Sequence, residues 1–374
     1  MNKITYIFGH GRRKKIIQGS GFAKEFFYSF QDFVNDGYSV EIIEMDEEIF
    51  NPKGLRKIYK FIDKVLRKLS NLPFFMTEIV KKNNFNIIRK SDTIFYTNDR
   101  LAISCIPISI FTKIATNSKS NVLIMGLFSK PRNNIFIKLF QKSLLILFLK
   151  IHDNFIFIGK AEIEEAKILF PKYAKKFKYI PFCIDVKFWN FKLKEPKSSE
   201  KKNILFIGND GNRDYEFLFD LSSKLPQYEF KFITKYKFKK ALPSNVKHIS
   251  GSWSDSEIED EGLRNIYHES DVVLLPLKNT IQPSGQSVTL QALSCGTPVM
   301  ITKIDGFWDK ESFMDMENIM FMSRNNIQLW SDKLEFLFKD QALYSKLIVN
   351  GQIVIEDNFN INYFYKELKK LILN

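Results

Sequence analysis

"DVVLLPLKNTIQPSGQSVTLQALSCGTPVMIT", residues 271–302, decides how this chain is built. "DVVLLPL" (271–277) is a short apolar run that reads as a buried strand. Pro283, Ser284 and Gly285 make a turn. Val288, Leu290, Ala292 and Leu293 then recur at helical spacing until Gly296, Thr297 and Pro298 break the pattern. Val299 to Ile301 resume as a second apolar run. Strand, glycine loop, helix and strand in that order form a parallel crossover unit.

The same alternation extends in both directions. Downstream of residue 203 the strand candidates are "NILFIGND" (203–210), "YEFKFIT" (228–234), "NVKHIS" (245–250), "DVVLLPL" and "PVMIT" (298–302). Upstream they are "ITYIFG" (4–9), "SVEIIE" (39–44), "DTIFYT" (92–97), "NVLIMG" (121–126), "NFIFIG" (154–159) and "FKYIPF" (177–182). A glycine-bearing loop, "HGRRKKIIQGSG", is expected after the first strand, followed by one helix over "FAKEFFYSFQDFVND" that Gly37 closes. Between the halves, "KLKEPKSSEKK" (192–202) is polar, lacks apolar periodicity and reads as a linker. The chain therefore reads as α/β, with two Rossmann-like doubly wound domains facing a central cleft. The expected divisions are an N-terminal domain over 1–183, a C-terminal domain over 203–355, and a final helix over 356–374 that crosses back.

At 374 residues the length suits two domains, and 45% hydrophobic with 26% charged residues suits a globular protein. The 37 phenylalanines belong to a general compositional bias, so no single Phe carries weight. A net charge of +14 favours anionic partners without choosing among nucleotides, acidic lipid surfaces and nucleic acid. Three distant cysteines, Cys105, Cys183 and Cys295, give neither metal spacing nor a disulfide framework, as expected for a reducing cytosol. The N-terminal apolar run is too short for a signal peptide. "SLLILFLKI" (143–151) has about half the length of a membrane span.

The helix after the 283–285 turn opens at the carboxyl ends of its strands. Its free N–H groups and dipole make an anion site there. Gly285 lets a ligand approach the backbone, and Ser284, Gln286 and Ser287 add short donors. An ordinary serine-capped turn would read the same. "FIGNDGNRDYEF" (206–217) supplies a second strand, glycine loop and helix start in the same half, with Arg213 near the first turn. An Arg fork suits diphosphate oxygens, although an ordinary helix-start Arg paired with Asp214 or Glu216 also fits.

"GNDGNRDYEFL", "IYHESDVVLLPL" and "PSGQSVTLQALSCGTPVMIT", in that order, resemble the C-terminal domain of retaining GT-B glycosyltransferases of the family 4, group 1 type. "AEIEEAKILFP…KYIPFCIDVKFWNF" is similar to the segment by which such enzymes leave their first domain. "NFNINYFYKELKKLI" resembles their final helix. The resemblance is strong over 203–302 and architectural over 1–150. It implies transfer of a sugar from a nucleotide-diphosphate sugar, with retention and without metal or other cofactor, to a glycan or lipid-linked acceptor. No Asp-x-Asp pair occurs in the chain. It further implies that Ser284, Gly285, Gln286, Ser287 and Val288 hold the diphosphate, that Arg213 neutralises it as the catalytic group, and that Gln291 meets the ribose. The family's usual residue at 291 is Glu, and Ser284 stands where its upstream acid is expected. Gln keeps a carbonyl acceptor and adds an NH₂ donor but loses the charge.

Further expectations attach to single residues. Trp253, in "GSWSDSE", falls where this family meets the nucleobase, although an edge-packing Trp fits as well. In "QGSG" (18–21), Gly19 and Ser20 are expected to face the cleft; His10 and Asp99 are candidates for the acceptor. The stretch "LRKIYKFIDKVLRKLSNL" (55–72) sets Leu55, Ile58, Ile62, Val65, Leu66 and Leu69 on one face and basic residues on the rest. It reads either as a helix lying on an anionic membrane or as a lysine-rich face over the core. The expected location is cytoplasmic, with a peripheral place on the inner face of the membrane under the first reading; nucleic acid is not the expected partner. Two rival classes stay open: a nucleotide-sugar epimerase, and a catalytically degenerate GT-B nucleotide-binding protein.

Overall fold

A computed structural model describes residues 3–129, 135–193, 201–252, 255–256 and 258–373. Two six-stranded parallel sheets organise it. The first contains β1 (Lys3–Phe8), β2 (Ser39–Glu44), β3 (Thr93–Tyr96), β4 (Lys119–Ile124), β5 (Asn154–Phe157) and β6 (Phe177–Tyr179), in the order β2-β1-β3-β4-β5-β6. The second contains β7 (Asn203–Ile207), β8 (Glu229–Ile233), β9 (Val246–Ile249), β10 (Val272–Leu275), β11 (Val299–Thr302) and β12 (Met320–Met322), in the order β12-β11-β10-β7-β8-β9. In each sheet the order reverses beside the first strand, which is the doubly wound pattern. The central strands are apolar on both faces because helices cover both. Val272 to Leu275 are all buried, and each such side chain contributes about 1.5–3 kcal/mol.

The helices that position the site are α1 (Arg12–Gln18), α2 (Phe30–Asn35), α3 (Leu55–Ser70), α4 (Ile135–Ile151), α5 (Tyr215–Lys224), α6 (Asp260–Glu269), α7 (Gln286–Ser294) and α8 (Ile361–Leu373). Two sequence expectations are corrected here. The segment after β1 is a short helix, α1, and not a loop. The phenylalanine-rich segment is not one helix: a single 3-10 turn, Glu25–Phe27, is cut off from α2 by Tyr28 and Ser29, both at positive φ. "QGSG" consequently lies at the end of α1, with Gly19 as its left-handed cap, and not at the head of a helix.

The chain passes between the sheets twice, and the two crossings pair with each other. Ile184 N–H donates to the Phe359 carbonyl over 2.8 Å, and Ile361 N–H donates to the Ile184 carbonyl over 2.9 Å. Beyond that point α8 lies on the first sheet's half. Phe364, Leu368 and Ile372 are buried, Phe364 packs on Tyr28, and Tyr365 and Lys369 both bond the Asp36 carboxylate.

α3 departs from its sequence reading. Its inner face is Tyr59, Ile62, Asp63, Leu66 and Ser70. Asp63 is buried there and accepts the Met76 and Thr77 N–H groups over 2.9 and 3.0 Å. Leu55, Ile58, Phe61, Val65 and Leu69 form a second, outward stripe. α4 packs beside α3 and leaves Ile135, Leu139 and Phe140 exposed. No helix among the described residues is long and apolar enough to cross a membrane.

Candidate functional site

A cavity of about 1040 Å³ lies between the two halves. Every wall segment follows the carboxyl end of a strand or the loop beyond it, where parallel sheets leave a crevice. After β1 come His10, Lys14 and Ser20; after β7, Gly208, Asp210 and Arg213; after β10, Ser287, Val288 and Gln291.

The β10 loop is clamped on both sides. Asn212 Nδ2 donates to Ser284 Oγ over 2.7 Å, joining it to the β7 loop. Gln286 Nε2 donates to the Ile158 carbonyl over 3.1 Å, joining it to the first half. Gly126 and Gly159 leave room for Gln282 and Pro283: a Cβ at 126 would stand 2.6 Å from the Gln282 side chain. Gly285, at φ 82, caps α7 in a left-handed conformation and has no side chain to bond the first-turn N–H groups. Ser287 and Val288 of that first turn line the cavity, so the positive end of α7 starts at its wall.

Arg213 is only 3% exposed and lines the same cavity. Its Nη1 bonds Asp210 Oδ2 over 3.0 Å and its Nε donates to the Ile207 carbonyl. Burial pulls the guanidinium below its usual range, while the Asp210 charge opposes that shift. The partner is Asp210, and not the Asp214 or Glu216 considered from sequence; Asp214 instead caps α5 through the Phe217 N–H. Across the cavity Lys15 pairs with Asp260 over 3.2 Å, and exposed Lys14 stands beside it.

Of the sequence candidates, Arg213, Ser287, Val288, Gln291, Ser20 and His10 stand on the cavity wall. His10 Nε2 lies 3.0 Å from Glu47 Oε1. Ser284 and Gln286 are held by Asn212 and Ile158, and Gly285 packs on Ile301 and Leu275 behind the wall. Gly19 does not line the cavity. Neither does Asp99, which accepts the Met125 N–H over 3.0 Å. Trp253 lies outside the described residues.

Sequence reasoning missed three participants. Glu25 of the first half reaches Gln291 of the second: Gln291 Nε2 donates to Glu25 Oε1 over 2.9 Å. Trp189 Nε1 donates to the same oxygen over 2.8 Å. The Tyr267 hydroxyl donates to Gln291 Oε1 over 3.1 Å. A lone acid inside "FAKEFFYSF" was the available signal, since an acid among core phenylalanines needs partners.

No protein-family model matches the chain, and no curated protein sequence matches it. Solved structures do. HepE of Anabaena, determined with UDP and glucose, superposes with a TM-score of 0.66 at 12% identity over 100% of both chains. Sucrose-phosphate synthase of Thermosynechococcus elongatus gives 0.66 at 14% identity over 99% of this chain and 98% of its own. An alpha-glucosyltransferase determined with UDP-glucose and DNA containing an abasic site gives 0.61 at 13% identity over 100% and 99%. The fold is that of the GT-B glycosyltransferases.

Proposed function

We propose that this chain is a glycosyltransferase that moves a sugar, with retention and without a metal ion, from a nucleoside-diphosphate donor to an acceptor hydroxyl. The observation that carries the reading is the convergence of Arg213, Lys14 and the start of α7 on one interdomain cavity. Three sources of positive potential suit a diphosphate, and a buried Arg holds its charge in a low-dielectric wall where it acts strongly. In the step, the bond from the anomeric carbon to the diphosphate oxygen breaks and its electron pair leaves with the diphosphate. The acceptor oxygen bonds to the anomeric carbon, and its proton passes to the departing diphosphate. Charge grows on the leaving group, so donors fixed there lower the barrier.

The neighbours solved with UDP or UDP-glucose make uridine nucleotides the first ligands to try. A thermal-shift panel of nucleoside diphosphates and their sugars is the test, since a ligand that binds only the native state raises the midpoint. A panel in which none raises it would end the reading. A nucleotide that raises the midpoint with no turnover of any donor sugar would favour the degenerate alternative, and interconverted donor sugars the epimerase.

The acceptor is proposed to be lipid-linked. The outward apolar stripe of α3, the exposed end of α4 beside it, and Lys57, Lys64, Lys68, Lys138 and Lys142 among them make an amphipathic face. Apolar side chains set among lysines suit an anionic bilayer surface, which supplies both the hydrocarbon and the counter-charge. This face supports a peripheral place at such a membrane.

A further inference from the structure

Glu25 is 2% exposed, yet it stands in the wall of the interdomain cavity with Trp189, Val288 and Gln291. Its two oxygens are treated differently. Oε1 accepts from Gln291 and from Trp189, at 2.9 and 2.8 Å. Oε2 has no hydrogen-bond partner among the described residues. A buried carboxyl oxygen without a partner is costly, and a native protein keeps one where something else satisfies it. Gln291 is held at both ends of its amide: one N–H goes to Glu25 and its carbonyl takes the Tyr267 hydroxyl, which leaves it one N–H and one lone pair.

We propose that Glu25, and not Gln291, is the group that recognises a sugar hydroxyl of the bound nucleotide sugar, through Oε2, while Gln291 and Trp189 hold its carboxyl in place. The proposal rests on the nucleotide reading above. Its chemistry is that of a carboxylate acceptor for a polyol, and the hydroxyl belongs either to the ribose or to the transferred sugar. It also accounts for the residue type at 291. A carboxylate there would face Glu25 at 2.9 Å, and two like charges at that distance cannot both stay ionised. An amide instead supplies an N–H to lock the Glu25 carboxyl. Burial lifts that carboxyl to about 7, with the Asp185 charge adding to the rise and the bonds from Gln291 and Trp189 opposing it. A hydroxyl donor on Oε2 would favour the ionised form, as the other donors do.

Calorimetric titration with UDP, 2′-deoxy-UDP, 3′-deoxy-UDP, and a UDP-sugar against its deoxy-sugar analogues tests this. The parent is expected to lose about tenfold or more when the recognised hydroxyl is removed, the usual effect of a bond to a charged acceptor. Glu25→Gln is expected to bind that pair of ligands equally well. Discrimination lost among the ribose analogues assigns the contact to the ribose, and among the sugar analogues to the transferred sugar. The exchange Glu25→Gln with Gln291→Glu moves the carboxylate to the other side of the pair and is expected not to restore discrimination; restored discrimination would put the contact on residue 291 and overturn the proposal. A parent that discriminates, with Glu25→Gln discriminating as strongly, overturns this proposal alone. A parent indifferent to every hydroxyl overturns it too, and a parent that binds no nucleotide overturns the nucleotide reading with it.

Discussion

Arg213 Nη1 bonds Asp210 Oδ2 over 3.0 Å within one loop, so the guanidinium is aimed before any ligand arrives. The aim is enforced from behind as well. Gly208 lies so close that a Cβ there would stand 2.3 Å from Arg213 Nε and 2.9 Å from its Cγ. A charge held by its own loop in this way would lose little side-chain freedom on binding the proposed diphosphate.

Arg213→Ala is expected to lower kcat/KM for the nucleotide sugar by about 100-fold or more, the range seen when a preorganised donor to a developing anion is removed. If the charge matters most on the leaving diphosphate, kcat falls along with the rise in KM. Steady-state kinetics decide it. Unchanged turnover would place the diphosphate elsewhere.

Gly208→Ala is expected to mimic much of that loss without removing the charge. The added methyl forces the guanidinium out of its place, and the strain costs about 1–3 kcal/mol of stability. Gly211→Ala is the control, because a Cβ at 211 meets nothing within 4 Å. Equal kinetics and equal midpoints for the two variants would show that the approach of Gly208 to Arg213 does not matter.

The central strands were legible because both faces are buried and their residues run apolar without interruption, as in Val272 to Leu275. α1 was not, since "RRKKIIQ" buries no residue and has no apolar period to read. The phenylalanine run looked like one helix because spacing alone does not show that Tyr28 and Ser29 adopt positive φ. β12 has only three residues, Met320–Met322, and gives no pattern. At the site, Gln291 stood out in the sequence, but its partner did not. Glu25 lies 266 residues away, and only the closing of two domains brings them together.

On the proposed membrane reading, binding would depend on α3 and α4 acting together. Phe61→Glu combined with Leu139→Glu is expected to weaken binding to anionic vesicles by tenfold or more, because each charge replaces an exposed side chain whose burial in lipid is worth about 1.5–3 kcal/mol. Neither position is packed in the fold, so folding stability should hold within about 0.5 kcal/mol. Co-sedimentation with anionic and neutral vesicles at two salt concentrations measures it. Binding that survives the double change would leave the surface without this role.

The last expectation concerns pH and needs no ligand. The Glu25 carboxyl is raised by burial from 4.5 to about 7, with Asp185 adding to the rise and Tyr28 and Tyr267 among the groups near its charge. The folded state therefore holds this proton more tightly than the unfolded chain does. Between about pH 4.5 and 7 the native form is protonated at Glu25 while the unfolded form is not, so the unfolded state binds fewer protons and stability falls as pH rises. The contribution is fully present below the unfolded value and is lost on passing through about 7; its full size is on the order of 3 kcal/mol. Glu25→Gln removes the titration while keeping an acceptor for Trp189 and Gln291. It is expected to flatten this part of the stability profile and to leave the variant more stable than the parent at pH 8. Urea midpoints of both proteins from pH 5 to 8 measure the difference. Parallel profiles would mean that the Glu25 proton is bound no more tightly in the folded chain, and that the buried carboxyl is already satisfied in the empty protein.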